Sequence, residues 1–208
     1  MPHFPSIFAL LFLAASLALA GPADSILARS AQLFSGKQGL SLDFSLRVLQ
    51  SATGSENQTQ GSLLVGERNR FRLRVPGMEF YSDGVQLWQY NPAQKQVMVK
   101  LLADLESQFH PSEILFKYQQ CKPRSLKSEL WQGKKVHVLQ LDPSRYKGQF
   151  SEMEVWLDPV SLAPLRLKTV DNLHNLSWYT VSNLKKVKAN DKDFVFVAPK
   201  GVDEIDMR

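Results

Sequence analysis

The side chains that most often carry catalysis or bind metals are sparse in this chain. Its histidines stand singly, and Cys121, next to Lys122, is the sole cysteine. The sequence contains no ligand pair at zinc-site spacing, no nucleophile elbow, no phosphate-binding loop and no dinucleotide-binding glycine pattern. A cationic neighbour can activate a thiol, but a structural role for Cys121 is the favoured interpretation. These residues predict a protein that is not an enzyme and that uses no cofactor or metal.

The N-terminal segment differs in composition from the rest of the chain. Residues 1–20 contain no Lys, Arg, Asp or Glu, and they end in the small residues Ala18 and Ala20 around Leu19. This pattern predicts a secretory signal peptide that is cleaved after Ala20, with an uncleaved anchor as the alternative because the first residues carry little positive charge. Gly21 rather than a cysteine follows the predicted cut. The mature chain, residues 21–208, is therefore expected to lack the N-terminal lipid of a bacterial lipoprotein.

Length and charge restrict the class of protein further. A chain of 208 residues that is 44% hydrophobic is expected to form one folded domain. The net charge is +5. For an exported protein this charge favours an acidic protein or an anionic membrane as partner over nucleic acid, or serves solubility alone.

Most of the mature chain shows the alternation of β-strands. Leu42, Phe44 and Leu46 alternate with polar residues, and Phe71 and Leu73 alternate with arginines. Similar short segments, punctuated by Gly, Pro, Asn and Asp, give about ten or eleven strands that follow one another directly and should be mostly antiparallel. We expect a polar turn region over residues 51–60 and a last strand over residues 194–198.

Two regions show helical patterns instead. Residues 24–34 predict a short amphipathic helix with Asp24 as its N-cap and Gly36 as its stop. Residues 101–108 and 111–120 predict further helices, with Ile114, Leu115 and Tyr118 on one face.

One segment is more specific than these patterns. Residues 82–92 read SDGVQLWQYNP, which resembles the S-D-G-x-x-L-W-x-Y-N-P signature of the LolA family of outer-membrane lipoprotein carriers. The Gly61–Leu63 and Asn69–Phe71 segments resemble the G-x-L and N-x-F motifs of that family. The ending Phe194–Val202 resembles its F-x-F-x-x-P-x-G-V close.

The resemblance implies a mainly β fold with an α lid, an incomplete antiparallel β-barrel covered by short helices. It also implies a soluble periplasmic chaperone that binds lipoprotein acyl chains in an apolar cavity and moves lipoproteins from the inner to the outer membrane. The implied partners are acylated lipoproteins, an inner-membrane lipoprotein-releasing transporter as donor and an outer-membrane acceptor, and a monomer is expected. The alternative is a LolA-like carrier or sensor of another lipid or glycolipid of the cell envelope.

Candidate site residues follow from the alternation and the resemblance. The predicted acyl cavity is lined by Leu42, Phe44, Leu46, Phe71, Leu73, Trp88 and Tyr90. The predicted mobile lid is formed by Ile26, Leu27, Leu33, Phe34, Ile114, Leu115 and Tyr118. A permanently packed core and a permanently packed helix are the respective alternatives. A Phe71→Glu substitution is expected to abolish ligand binding without unfolding the protein.

Two sets of arginines have candidate roles. The family's loop between the second and third strands usually reads K-R-P, and its Arg helps to hold the closed lid. The aligned residues here are Gly66, Glu67 and Arg68, so Arg68 is the lid-closure candidate. The row Arg70, Arg72 and Arg74 should face away from the cavity, either to dock an acidic partner or as a merely solvated face.

Overall fold

The structure is a computed structural model that describes residues 21–33, 38–104, 116–146 and 148–208. Its described part contains one α-helix, twelve strands and four short 3-10 helices. The helix is α1, Pro22–Gln32. The strands are β1 (Gly39–Leu49), β2 (Glu56–Val65), β3 (Phe71–Val75), β4 (Met78–Ser82), β5 (Gln86–Asn91), β6 (Gln96–Leu101), β7 (Lys122–Trp131), β8 (Lys134–Asp142), β9 (Phe150–Leu157), β10 (Pro164–Asp171), β11 (Leu176–Val187) and β12 (Asp203–Asp206). The 3-10 helices are Leu102–Asp104, Lys117–Gln120, Pro143–Tyr146 and Asp191–Asp193.

All twelve strands belong to one sheet. Their order is β12-β6-β5-β4-β3-β2-β1-β11-β10-β9-β8-β7. Every pair is antiparallel except β12–β6, which is parallel. Because β12 and β7 stand at opposite ends of this order, the sheet of the described residues does not close. The expected mainly β, unclosed fold is confirmed, with slightly more strands than expected.

Two strand predictions were wrong, both because backbone pairing does not require an apolar pattern. β2 begins at Glu56, and its polar first half pairs with the end of β1, from Leu49↔Glu56 to Ser45↔Gln60. The segment 194–198 shows strand-like alternation but joins no strand pair. Phe194 is fully buried there, and the Phe196 ring lies 5.4 Å from Tyr81 and 4.9 Å from Tyr90. The alternation therefore reflects packing onto the sheet, and the last strand comes later, at β12.

Helix α1 begins earlier than predicted. Its N-cap is Gly21, and Pro22 occupies the first turn, where a missing N–H costs nothing. Asp24 is not the cap. Its Oδ2 accepts a hydrogen bond of 3.2 Å from the Gly21 N–H, inside the first turn, where a carboxylate also complements the helix dipole.

The sheet has two different faces. We call the face that carries α1 and Tyr118 the helix face. The core on β7–β10 and α1 lies on it and comprises Leu27, Tyr118, Cys121, Leu139, Leu141, Met153, Val155, Leu157 and Leu167. A second cluster on the other half of the sheet comprises Leu42, Leu63, Phe71, Leu87, Leu102 and Val181. Phe116 and Tyr179 pack against both clusters, so the apolar surface of the helix face is continuous. The opposite face, which carries Phe196, is the outer face.

Candidate functional site

The predicted cavity residues of β1 and β3 come together on the helix face. Strand register places Leu42 opposite Leu63, and Leu63 opposite Leu73. Leu42 and Phe71 are each 1% exposed, whereas Phe44, Leu46 and Leu73 are half-buried. The first two are core residues, and the last three leave apolar surface accessible on this face.

Trp88 and Tyr90 lie on the outer face, away from the other predicted cavity residues. Trp88 pairs with Tyr81, whose neighbour Phe80 packs in the cluster on the helix face. Successive side chains of a strand point to opposite faces, so Tyr81, Trp88 and Tyr90 share the outer face. The Phe196 ring covers Tyr81 and Tyr90 there. We therefore remove Trp88 and Tyr90 from the lining set.

Sequence reasoning missed several residues of the same face. Leu63, Phe80, Leu87, Tyr179 and Val181 all belong to or pack on this cluster. Leu87 is next to Trp88 on β5 and therefore points to the opposite face. The prediction chose the two aromatic residues of the signature, Trp88 and Tyr90, instead of Leu87, and so chose the wrong face of the strand. The buried partner of Phe71 is Ser82, which pairs with Leu87. Knowledge of the pairing register of β3, β4 and β5 would have shown that Leu87, rather than Trp88, points to the helix face.

The predicted lid residues are described only in part. Leu27 is 5% exposed in the core, and Ile26 packs against that core. Leu33 follows the last turn of α1 and is half-buried. Phe34, Ile114 and Leu115 lie outside the described residues. Ile26 and Leu27 thus face the sheet, as an amphipathic helix requires.

One polar contact joins α1 to the 3-10 helix at Lys117–Gln120. The hydroxyls of Ser30 and Tyr118 lie 3.1 Å apart, and both residues are fully buried. Burial raises the pKa of Tyr118 to about 12, although the hydrogen bonds from Ser30 and Gln119 oppose that shift. Tyr118 therefore docks α1 through a neutral, buried hydrogen bond.

The arginines near the β2–β3 turn have different surroundings. Arg68 is exposed in this turn with a φ of 55°, and within the described part of the chain its side chain forms no ion pair. Arg70 instead pairs with Asp191, and its guanidinium lies 5.3 Å from the centroid of the Phe194 ring. Arg74 bonds Glu79 at 3.2 Å. The predicted basic row is thus largely neutralised by its own neighbours.

Cys121 has the surroundings of a structural thiol. It is 5% exposed, and its S–H donates to the Met153 sulfur at 3.6 Å. Burial, with a contribution from Asp142, raises the pKa of the Cys121 thiol to about 11. A reactive thiol needs a lowered pKa, so the structural interpretation fits this site.

Comparison with known proteins decides the family. A model of the outer membrane lipoprotein carrier protein LolA matches residues 35–197. The chain belongs to the LolA family. LolA is a family of carrier proteins. None of the helices in the described ranges is both long and apolar enough to cross a membrane.

Two curated relatives agree with LolA membership, and one solved structure shares the fold. The outer-membrane lipoprotein carrier proteins of Bordetella pertussis and Bordetella bronchiseptica are each 27% identical to this LolA-family chain over 181 residues, covering 80% of this chain and 85% of theirs. A conserved protein from Thermus thermophilus has a similar fold, with a TM-score of 0.56 at 12% identity, covering 88% of this chain and 98% of its own.

Proposed function

We propose that this LolA-family chain is a soluble periplasmic carrier that holds the acyl chains of lipoproteins against its helix face and moves them from the inner to the outer membrane. Family membership and the names of the Bordetella relatives support a lipoprotein carrier. The signal peptide at residues 1–20, the inner-membrane transporter as donor, the outer-membrane acceptor and the monomeric state are parts of this proposal.

The observation that carries the proposal is the incomplete burial of large apolar side chains on the helix face. Phe44, Leu46, Leu73, Phe80 and Tyr179 are all half-buried there. A protein without an apolar ligand gains by burying such side chains, because each buried CH₂ is worth about 0.8 kcal/mol. Moving one acyl chain of ordinary length out of water would gain roughly 10 kcal/mol on the same scale.

Access to this surface requires an element that can move. Helix α1 contacts the sheet mainly beside β7, and Leu27 and the Ser30–Tyr118 hydrogen bond anchor it there. A short helix held by so few groups is suited to opening and closing over an acyl chain. Arg68 remains the candidate for holding the closed state.

A pair of leucine substitutions tests the proposal. Leu73→Glu places a carboxylate on the helix face, whereas Leu64→Glu places one on the outer face, where Leu64 pairs with Arg72. Both leucines are half-buried strand residues, so the substitutions are matched in chemistry. The exported variants are purified with their cargo, and native mass spectrometry identifies the bound lipoprotein.

We expect Leu73→Glu to lose at least about tenfold in bound lipoprotein, because a carboxylate is strongly disfavoured beside hydrocarbon. Leu64→Glu should retain the wild-type amount. Equal loading of the two variants would contradict the proposed binding face. Recovery of a different lipid in the wild-type protein would instead favour a carrier of another envelope lipid.

A further inference from the structure

The outer face carries a row of aligned residues, most of them polar, that runs across five neighbouring strands. Strand pairing aligns Trp156 with Arg166, Arg166 with Thr180, Thr180 with Ser45, and Ser45 with Gln60. These residues come from β9, β10, β11, β1 and β2, so the row spans about 19 Å at the usual strand separation. It lies on the opposite side of the sheet from the proposed acyl-binding face.

Arg166 lies second in this row, between two indole rings. Its guanidinium carbon lies 5.5 Å from the ring centroid of Trp156 and 5.9 Å from that of Trp178. Arg47 lies 4.9 Å from the centroid of the same Trp178 ring. Aromatic faces hold a guanidinium in place without neutralising its charge.

Two carboxylates on the same face as Arg166 are already engaged with other groups. Both oxygens of Glu56 accept hydrogen bonds of 2.6 Å from Arg47. One oxygen of Glu129 accepts a 2.5 Å bond from the Trp156 indole N–H, and the other pairs with Lys127 at 3.5 Å. Among the described residues, Arg166 therefore forms no ion pair, and its Nε is buried without a hydrogen-bond partner.

The unpaired charge has an energetic consequence. Burial and the repulsion from Arg47 lower the pKa of Arg166, and Glu129 offsets only part of that. A guanidinium stays protonated in proteins, so Arg166 remains a partly desolvated cation without an anion. Such a group binds a carboxylate more strongly than a fully hydrated lysine would.

A groove opens beside Arg166 on the same face. It has a volume of about 610 Å³ and is lined in part by Thr180, Ser45 and Gln60 of the row. Ser62 and Ser182 add further hydroxyls to that wall. These short side chains supply both donors and acceptors, which suits the peptide groups of an extended chain.

We propose that this outer groove docks an extended polypeptide segment of a partner protein, with an acidic side chain of that segment bound by Arg166. The charges around the groove favour one carboxylate over a uniformly negative surface. Asp43, Glu56, Glu129, Glu152 and Glu154 are interspersed with the cations of this face, so it lacks the cluster of unopposed basic residues that binds an anionic membrane. Docking on this face leaves the helix face free, so the proposal does not depend on what the helix face carries.

Nuclear magnetic resonance of the indole N–H groups tests the site directly. The probe is a short capped peptide of serine and threonine with one central glutamate, and its matched control has glutamine instead. The glutamate peptide should shift the Trp156 and Trp178 signals saturably, at concentrations below about 20 mM. The glutamine peptide should not saturate them.

Two variants separate the site from general charge effects. Arg166→Gln should weaken the binding of the glutamate peptide at least about tenfold, because it removes the charge-assisted hydrogen bonds. Arg29→Gln removes the same charge from the exposed surface of α1 and should bind as wild type does. Arg166→Lys keeps the charge but not the planar fork, and should bind with intermediate strength. Thermal unfolding confirms that each variant is folded.

Several outcomes would overturn the proposal. These are no saturable shift with the glutamate peptide, an equal shift with the glutamine peptide, or unchanged binding by Arg166→Gln. Inorganic phosphate that saturates the same signals and displaces the peptide would mark a small-anion site. Arg166-dependent sedimentation with vesicles containing about one-third anionic lipid would mark a membrane site.

Discussion

Phe71 and Leu73 show how two residues of one alternating pattern acquire different roles. Both are on β3 and point to the helix face, where they pair with Ser82 and Phe80 respectively. Phe71 is 1% exposed among Leu42 and Leu63, whereas Leu73 is half-buried. Phe71 stabilises the fold, and Leu73 keeps part of its apolar surface accessible on this face.

The position of Phe71 changes the expected result of Phe71→Glu. A carboxylate there would be buried without a partner and the ring volume would be lost, so we now expect unfolding rather than a folded protein that cannot bind. The free energy of unfolding should fall by more than about 4 kcal/mol in urea denaturation. For Leu73→Glu, whose side chain is partly exposed to water, the free energy of unfolding should fall much less. A Phe71→Glu protein of wild-type stability would contradict this assignment.

At the scale of elements, the docking of α1 depends on a buried pair of hydroxyls. Ser30 and Tyr118 are each 0% exposed and lie 88 residues apart in the chain. Neither hydroxyl is in contact with bulk water, so both depend on hydrogen bonds inside the protein, and Tyr118 also accepts one from Gln119 at 3.5 Å. The contact joins the N-terminal helix to the middle of the chain.

This contact predicts a loss of stability at high pH. The pKa of Tyr118 is raised to about 12 in the folded state. An unfolded tyrosine ionises near pH 10, so from about pH 10 to 12 the unfolded state holds fewer protons and stability falls as the pH rises. Tyr118→Phe removes this contribution, which is roughly 2–3 kcal/mol over that range. Urea denaturation at several pH values measures how the free energy of unfolding changes with pH in the wild-type protein and in Tyr118→Phe.

Ser30→Ala is the matched control for Tyr118→Phe. Both variants lose the hydrogen bond and should be less stable near neutral pH by about 1–2 kcal/mol. Ser30→Ala keeps the buried phenol, so its stability should still fall between about pH 10 and 12. The assignment fails if Tyr118→Phe loses stability over this range as steeply as wild type does.

At the scale of the whole molecule, an unclosed sheet leaves two edges to protect. β12 is short and acidic, with Asp203, Glu204 and Asp206. β7 is longer and exposes Lys122, Arg124 and Lys127 along its length. Charged side chains on an edge strand prevent pairing with another copy, which fits the expected monomer.

Removing the charges of β7 should therefore allow self-association. We expect the wild-type protein to sediment as a monomer, and the triple variant Lys122→Thr, Arg124→Thr, Lys127→Thr to form concentration-dependent larger species. Sedimentation velocity measures both. The control variant carries Lys185→Thr, Lys186→Thr and Lys188→Thr. These exposed lysines lie on or just after β11, which stands inside the sheet between β1 and β10, and Lys185 and Lys186 pair there with β1. Association by both triple variants would show that net charge alone, rather than the edge, keeps the protein monomeric.

The sequence by itself determined the fold class and the parity of several strands. Alternation separated Leu42 and Phe44 from Asp43, and Phe71 and Leu73 from Arg72, because side chains of a strand point to opposite faces. The S-D-G-x-x-L-W-x-Y-N-P segment indicated the LolA family, which the family model confirms.

Only the tertiary structure decided which face of the sheet each strand residue shares with the helices and which remote strands pair. Alternation does not say which face of the sheet meets the helices, so Trp88 and Tyr90 were assigned to the wrong face until the pairing of β4 with β5 placed them beside Phe196. The polar start of β2 is a strand because β1 supplies its hydrogen bonds. The outer groove at Arg166 needs side chains from distant strands, which only the pairing of β1 with β11 brings together. Such contacts depend on register between remote segments, and no local sequence window contains that information.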